Sequence, residues 1–345
     1  MNTEAGRGSS EFVPTAKVSR LLEEIWYGDH PLSLLLAPLG WLYDCCMRIR
    51  RLAYHVGVLP ARRVSAPVVV VGNITVGGAG KTPLVIWLCE FLREQGFHPG
   101  VISRGYGGQA RKFPQQVRPD SDPGIVGDEP LLIARRTGVP VAISPDRYTA
   151  ARQLLEHTDC DILVCDDGLQ HLGLYRDLEI VVIDGERLLG NRRCLPAGPL
   201  RETADRLNTV DMVVMNGGNA GRYHLMEMET AELRSVAEPG RSMESNALAG
   251  QRVHAVAGIG NPQRFFSQLR KQGMEVIRHI FPDHHVYRPA DLSFNDELPV
   301  VMTEKDAVKC RGFAHENCWY QPVSAHMAPS FVHRLTVLLK EIADG

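Results

Sequence analysis

The octapeptide Thr75-Val-Gly-Gly-Ala-Gly-Lys-Thr82 lies directly between the β-branched run Pro67-Val-Val-Val-Val-Gly72 and a stretch from Thr82 to Gln95 with helical patterning. No other feature limits the fold of this chain so strongly. A loop that cradles a phosphate chain needs small residues whose backbone N–H groups can approach closely, a lysine to meet the β- and γ-phosphate charge, and a hydroxyl for Mg²⁺. Gly77, Gly78 and Gly80 meet the first need, Lys81 the second and Thr82 the third, with Thr75, Val76 and Ala79 completing the loop. The N-terminus of the following helix adds its own positive end. The strict pattern G-x-x-x-x-G-K-[ST] would place glycine at position 75, where this chain has threonine. The strand–loop–helix frame carries the assignment of a nucleotide-binding P-loop despite that departure.

After Pro60 the sequence alternates apolar strands with helices. Strands are expected at Gly100–Ser103, Val139–Ile143, Asp161–Cys165, Leu178–Ile183 and Asp211–Met215, with helices over 128–137 and 146–157. Such alternation predicts a mostly parallel sheet covered on both faces. The polar, glycine-containing segment from Asn216 to Gly250 breaks the order and reads as a linker with room for a short ribbon. The pattern then resumes with a strand at His254–Ala257, a helix at Pro262–Gln272, strands near Val276 and at Pro299–Met302, and a last helix from Phe331 to Ile342.

Composition bounds the function classes. The 345 residues carry 38 Lys+Arg against 40 Asp+Glu, a formal net charge of −2. That length suggests two domains, and near-neutral charge argues against a dedicated nucleic-acid binder. No stretch is apolar enough to read as a spanning helix, and the polar start with Glu4 and Glu11 is unlike a secretory signal. The eight cysteines include no C-x-x-C pair, so they read as reduced apolar fillers. His284 and His285 are adjacent, and adjacent rings converge poorly on one metal, so no zinc site is expected.

Residues 31–60 stand apart. From Leu39 the apolar residues Leu42, Cys46, Ile49, Ala53 and Val56 follow at helical spacing, while Asp44, Arg48, Arg51 and His55 fall on the other face. Such a helix, with Trp41 and Tyr43 at its apolar end, fits the interface of an anionic bilayer as well as it fits packing on its own domain.

A second chemical signal is Asp161-Ile-Leu-Val-Cys-Asp166-Asp167, an apolar strand that ends in two carboxylates. Ligands collect at the carboxyl ends of the strands in such sheets, and Asp166 is placed to hold Mg²⁺. Asp167 would point to the opposite side if the strand continues that far. A capped turn would also contain this dipeptide, so the reading leans on the P-loop. Polar clusters that read as βα loops occur at Ser103–Gly108, Gly127–Pro130, Leu195–Glu202, Pro282–His285 and Thr303–Asp306.

Together these segments resemble the tetraacyldisaccharide 4'-kinase family, the lipid A 4'-kinases of Gram-negative bacteria, from about Trp26 to the C-terminal helix. The resemblance rests on Val71–Pro83, Ser103–Gly107, Gly127–Pro130, Asp166–His171, Pro196–Glu202, Gly258–Pro262, Phe281–His284 and Thr303–Asp306. It implies transfer of the ATP γ-phosphate to the 4'-hydroxyl of a tetraacylated glucosamine disaccharide 1-phosphate. It further implies that Asp128 takes the hydroxyl proton with His284 as its partner, that Thr82, Asp166 and Glu202 surround Mg²⁺, and that Gln170 and Arg201 border the reacting groups. Asp167 is implicated by the same motif. An acceptor with four acyl chains stays in the bilayer, so the helix at Leu39–Val56 is expected to bring the enzyme to the cytoplasmic face of the inner membrane as a peripheral protein.

The expected organisation is an extension at 1–17, a membrane-associating helical segment at 18–60, a P-loop kinase domain at 61–222, a linker at 223–250, a smaller α/β domain at 251–328 and a C-terminal helix at 329–345. Closure between the two domains is expected, because His284 and the P-loop fall on different ones. The rival reading is a membrane-associated ATPase switch of the ParA/MinD type, whose loops share Gly-Gly-x-Gly-Lys-Thr. Those loops carry a lysine just before the paired glycines, where this chain has Val76.

Overall fold

A computed structural model describes residues 14–344. Of the expected extension, residues 1–13 lie outside the described residues, and 14–17 open the first helix, α1 (Pro14–Tyr27). A short α2 (Leu32–Leu35) and the long α3 (Ala37–His55) follow. The first sheet begins at β1 (Val68–Gly72), whose five residues are all buried, as expected for a central strand covered on both faces. The P-loop then leads into α4 (Lys81–Glu94), with Gly80 in the left-handed region at φ 95° as its N-cap.

The chain continues through β2 (Pro99–Ser103), β3 (Gln115–Val117), α5 (Pro123–Val126), α6 (Asp128–Thr137), β4 (Val141–Ile143), α7 (Arg147–His157), β5 (Ile162–Asp166), β6 (Leu178–Asp184) and β7 (Met212–Asn216). After it come β8 (His224–Thr230), β9 (Leu233–Ser235), β10 (Ser242–Met243), β11 (Arg252–Ala257), α8 (Pro262–Lys271) and β12 (Glu275–Ile280). The last elements are β13 (Val300–Thr303), α9 (Glu304–Cys310), β14 (Cys318–Gln321), β15 (Val323–Met327) and α10 (Pro329–Asp344).

The strand order of the first sheet is β15-β8-β7-β6-β1-β5-β2-β4-β3. All its pairings are parallel except those of the two edge strands, β15 with β8 and β3 with β4. One face packs against α4, α6 and α10 through Leu84, Leu88, Leu131, Phe331 and Leu335. The other face meets α7 and the following loops through Ala150, Leu154 and Leu174. The second sheet runs β10-β9-β14-β13-β11-β12. Phe265, Phe266 and Leu269 of α8 cover one face, and Ala307 and Cys310 of α9 cover the other.

The segment 223–250 departs from the expected linker. Its strands are divided between the sheets: β8 extends the first sheet beside β7, and β9 and β10 pair antiparallel as a short ribbon that edges the second through β14. The return is equally intimate. β14 belongs to the second sheet, and after a single residue β15 pairs with β8 in the first, within the span expected to be wholly in the smaller domain. Register explains why the sequence hid this. β8 reads His-Leu-Met-Glu-Met-Glu-Thr with only Met226 buried, so a largely exposed strand next to the sheet edge looks like polar loop. The final helix α10 likewise joins the core of the first sheet, where Phe331 and Leu335 are fully buried.

The N-terminal helices sit on the loops at 191–205. Trp26 Nε1 donates to the Pro196 carbonyl at 3.0 Å, Arg193 Nη1 to the Ser33 carbonyl at 2.8 Å, and a Cβ at Gly40 would lie 2.9 Å from the Cys194 carbonyl oxygen. The charged stripe of α3 faces the protein. Arg48 bonds Asp44 and Thr203, Arg50 donates to the Gln170 carbonyl, and Arg51 pairs with Glu202. The arginines expected beside a bilayer are therefore spent internally. The apolar stripe stands in solvent, with Leu35 74 % and Trp41 73 % exposed beside Leu39, Leu42, Ile49, Leu52 and Val56. No described helix is long and apolar enough to cross a membrane.

Because Phe331 is buried against the first sheet, Phe331→Ala is expected to lower stability by about 3–5 kcal/mol. Urea unfolding measures this, and a loss below about 1 kcal/mol would show that the terminal helix is not part of that core.

Candidate active site

At the carboxyl ends of the parallel strands a cleft of about 720 Å³ opens between the two sheets, and Val76 to Thr82 form its floor. The loop is held in shape from outside. The Val76 N–H donates to the Pro199 carbonyl and the Arg201 N–H to the Ile74 carbonyl, so the residues entering the loop pair with the 199–201 segment. Thr75 bridges Leu200 and is 6 % exposed. It supports the loop and does not line the cleft, which corrects its expected place among nucleotide contacts. The position thus tolerates threonine where the strict pattern has glycine. Lys81 Nζ lies 3.2 Å from Asn73 Oδ1 and 3.4 Å from Asp167 Oδ1.

The two strand-end aspartates differ sharply. Asp166 closes β5 at 1 % exposure. Its Oδ2 accepts from Ser103 Oγ at 3.4 Å, while Oδ1 is buried without a hydrogen-bond partner. Burial, with the Glu129 and Asp167 charges behind it, pushes its carboxyl up to about 7 against the pull of Lys81. A buried carboxylate oxygen without a partner, in the cleft that Thr82 also lines, fits a divalent cation. Asp167 does not continue the strand: it turns into the left-handed region at φ 49°. Burial would raise its carboxyl, but Lys81 and Arg201 hold it below the usual range.

Gln170 and Arg201 complete this side. Arg201 Nη1 is 3.3 Å from both Asp167 oxygens and from Gln170 Oε1. Gln170 Nε2 donates to Glu202 Oε1 at 2.9 Å. The other Glu202 oxygen faces Arg51 and Arg206 at 3.6 and 3.4 Å, so Glu202 stands behind Gln170 and offers no free oxygen in this conformation. Among the described residues, no three His, Cys, Asp or Glu side chains converge to hold a metal. A cation here would rest on Asp166, Thr82 and phosphate oxygens, and the expected place of Glu202 in its shell is corrected to one behind it.

Across the cleft, His284 Nδ1 meets Asp128 Oδ1 at 3.0 Å, joining residues 156 positions apart. Asp128 opens α6 after Gly127, whose φ of 91° suits glycine. His284 sits at φ 61°, with Tyr106 edge-on at 4.8 Å, and a Cβ at Gly107 would come within 3.0 Å of its Nδ1. The imidazole faces the cleft and the carboxylate lies behind it at 3 % exposure. Burial would raise the Asp128 carboxyl, but the His284 hydrogen bond and the Lys305 and Lys309 charges hold it at about 2. Burial would lower the His284 imidazole, but the Asp128 hydrogen bond and charge carry it above its usual value. Lys305 bonds Glu129 and Asp283 at 2.8 and 3.0 Å, latching the second sheet to α6.

Residues the sequence reading passed over tie the P-loop down. Asn73 is fully buried and also donates to the Gly77 carbonyl. Asn216, at the end of β7, donates Nδ2 to the Ala79 carbonyl at 3.0 Å and accepts from Arg264 of α8 at 2.9 Å. The polar pattern of the sequence places it at the start of the linker. Gly260 lies against the loop itself, since a Cβ there would sit 2.7 Å from the Gly78 nitrogen. The ordered motifs containing Asn73 and Gly260 were visible, but their partners are distant in the chain.

A family model described as Tetraacyldisaccharide-1-P 4'-kinase matches residues 32–340. The chain is 50% identical over 325 residues to the tetraacyldisaccharide 4'-kinase of Nitrosococcus oceani, covering 94% of this chain and 96% of that protein. It is 51% identical over 330 residues to that of Methylobacillus flagellatus, covering 94% and 98%. Among solved structures it is similar to LpxK from Aquifex aeolicus in complex with ATP, with a TM-score of 0.74 and 28% identity over 90% of this chain and 99% of that one.

Asn216→Ala removes both the hold on the Ala79 carbonyl and the anchor of Arg264. It is expected to weaken nucleotide binding about tenfold, as read by titration calorimetry with ADP; unchanged affinity would show that the loop keeps its shape without this side chain.

Proposed function

The chain belongs to the tetraacyldisaccharide 4'-kinase family, and from that premise we propose how its residues carry the reaction. The substrate is a tetraacylated glucosamine disaccharide 1-phosphate, and the γ-phosphoryl group of ATP passes to its 4'-hydroxyl. The bond from γ-phosphorus to the β-bridging oxygen breaks, a bond to the 4'-oxygen forms, ADP leaves, and the hydroxyl proton passes to the enzyme. The observation that carries this reading is the Asp128–His284 pair set across one cleft from a P-loop that ends in Lys81 and Thr82. The ParA/MinD-type switch is not favoured.

Phosphoryl transfer asks the protein for positioning and for charge, since the transition state is loose and spreads its charge over the transferred oxygens. Lys81 is the loop's cation for the β- and γ-phosphates, and Arg201 with Gln170 borders the reacting group beside Asp167. Mg²⁺, for which Thr82 and Asp166 are the fitting residues, would supply further positive charge at the phosphate oxygens. The proton goes to the dyad. With Asp128 ionised and accepting the Nδ1–H, the imidazole is held in the tautomer that leaves Nε2 free to take a proton. The resemblance places the carboxylate at the hydroxyl; the cleft geometry supports an imidazole that receives the proton with the carboxylate as its anchor.

The acyl chains keep the acceptor in a membrane, and the outward stripe of α3 supports docking there as a peripheral protein, on the cytoplasmic face where ATP is available. The arginines of α3 are engaged within the protein, so the contact is chiefly apolar. Mild detergent should therefore release the enzyme better than salt does.

Two outcomes test these proposals. The rate should fall as pH drops through the raised His284 value, because protonation removes the acceptor nitrogen. Asp128→Asn takes away the contact that raises it, so the acid limb should move to lower pH while kcat falls at least about 100-fold and nucleotide affinity holds. An unmoved limb would remove the dyad from the mechanism. Separately, the double variant Trp41→Glu, Ile49→Glu should lose flotation with phosphatidylglycerol vesicles yet bind ADP normally. Wild-type flotation retained by that variant would exclude α3 as the contact.

A further inference from the structure

A second cavity, of about 200 Å³, lies beside the second sheet, and no described residue lines both it and the cleft. Its walls are the β9–β10 ribbon, the end of β14 and the residue that follows α9. Register brings three of its residues into one row. Arg234 of β9 pairs with Ser242 of β10 on one side and with Tyr320 of β14 on the other, and residues directly opposed across antiparallel strands share a face. Tyr320 belongs to the face that α9 covers, and Arg311, immediately after α9, lines the same cavity. The turn of the ribbon is fixed from within. The Ser235 N–H donates to the Arg241 carbonyl, the Glu238 N–H donates to Ser235 Oγ, and Gly240 takes a φ of 94°.

The charge around this cavity is unbalanced. Arg241 is answered by Glu238 at 3.1 Å and lies over the Trp319 ring at 5.1 Å. Among the described residues no carboxylate pairs with Arg234, with Arg311 or with Arg135 of α6, whose side chain donates to the Pro119 and Val308 carbonyls. Burial brings the Arg135 guanidinium down to about 10, and the Arg311 charge pushes in the same direction. The carboxylates within reach are already engaged. Glu304, which feels Arg234, is bonded to Arg136 at 2.8 Å, and Glu232 accepts from Ser242 Oγ. Guanidinium groups keep their charge in proteins, so this surplus calls for an anion from outside the chain.

We infer that this cavity binds a phosphate-bearing anion, held by the guanidinium groups of Arg234 and Arg311. A carboxylate has two oxygens and satisfies one guanidinium fork. A phosphate monoester or a diphosphate carries at least two charges and three free oxygens, enough to engage both arginines. The same chemistry is offered by a soluble phosphate and by the headgroup of an anionic lipid. The site lies outside the cleft, so its ligand takes no part in the transfer reaction, and the inference does not rest on that reaction.

Two measurements test the inference and tell the sources apart: titration calorimetry with inorganic pyrophosphate on the full chain carrying one equivalent of ADP, and flotation with phosphatidylglycerol against phosphatidylcholine vesicles. For a soluble ligand, the double variant Arg234→Ala, Arg311→Ala should bind pyrophosphate at least about tenfold more weakly than the wild type. For a lipid headgroup, it should lose at least about half of the preference for phosphatidylglycerol at low salt. Both arginines are exposed, so the variant should keep the wild-type melting temperature and ADP affinity. The charge-preserving variant Arg234→Lys, Arg311→Lys separates a built site from diffuse attraction. It should weaken binding about fivefold in whichever measurement responds, because an ammonium group does not replace a planar fork. Lysines that serve as well as the arginines would overturn the inference in favour of diffuse surface charge. An alanine variant equal to the wild type in both measurements would overturn it too, as would a wild type that binds neither pyrophosphate nor phosphatidylglycerol selectively.

Discussion

The two crossings between the sheets, β8 to β9 and β14 to β15, are the constraint on which the site depends. They run side by side, with the Ala231 N–H bonded to the Pro322 carbonyl and Gln321 Nε2 to the Ala231 carbonyl. A polypeptide that passed once between two sheets would leave them free to swing. Passing twice, through strands that remain hydrogen-bonded in the first sheet, limits the second sheet to small movements about that seam. The seam lets Gly260 approach the Gly78 amide and sets His284 on Asp128. Arg264 to Asn216, Arg187 to the Gly260 carbonyl and Lys305 to Glu129 span the same cleft, so closure works against a defined set of polar contacts.

Charge in the cleft is arranged in opposed pairs. Lys81 and Arg201 hold Asp167 ionised, and His284, Lys305 and Lys309 do the same for Asp128. Of the three, only Asp166 has its carboxyl raised, because burial and the Glu129 and Asp167 charges outweigh the pull of Lys81, and its Oδ1 has no hydrogen-bond partner. A carboxyl whose charge no neighbour compensates gains most from a bound cation, whereas one already neutralised by lysines serves better to orient a neighbour. The three aspartates, similar as letters in the sequence, thus acquire separate tasks from their surroundings.

The apolar stripe of α3 was legible from spacing, but spacing could not say which face turned outward. Packing decides it. Gly40 allows the helix to touch the Cys194 loop, and the arginines find Gln170, Glu202 and Asp205 on the body of the protein. The charged face is consumed because the helix lies beside the site, and the apolar face is left in solvent by default. The same reversal occurs at Asp167, where a turn replaced the strand alternation.

From the sequence alone came the P-loop, the parallel α/β architecture, the strand ending at Asp166 and the grouping of loops that carry Asp128 and His284. These follow from local rules: the period of apolar residues, glycine where the backbone must approach a phosphate, and residue types that chemistry requires. Tertiary structure alone decided that 223–250 is shared between both sheets, that Glu202 and Thr75 stand behind the cleft, and that Asn73 and Asn216 hold the loop. Each of these depends on a partner far away in the chain, and only folding brings such partners within hydrogen-bond distance.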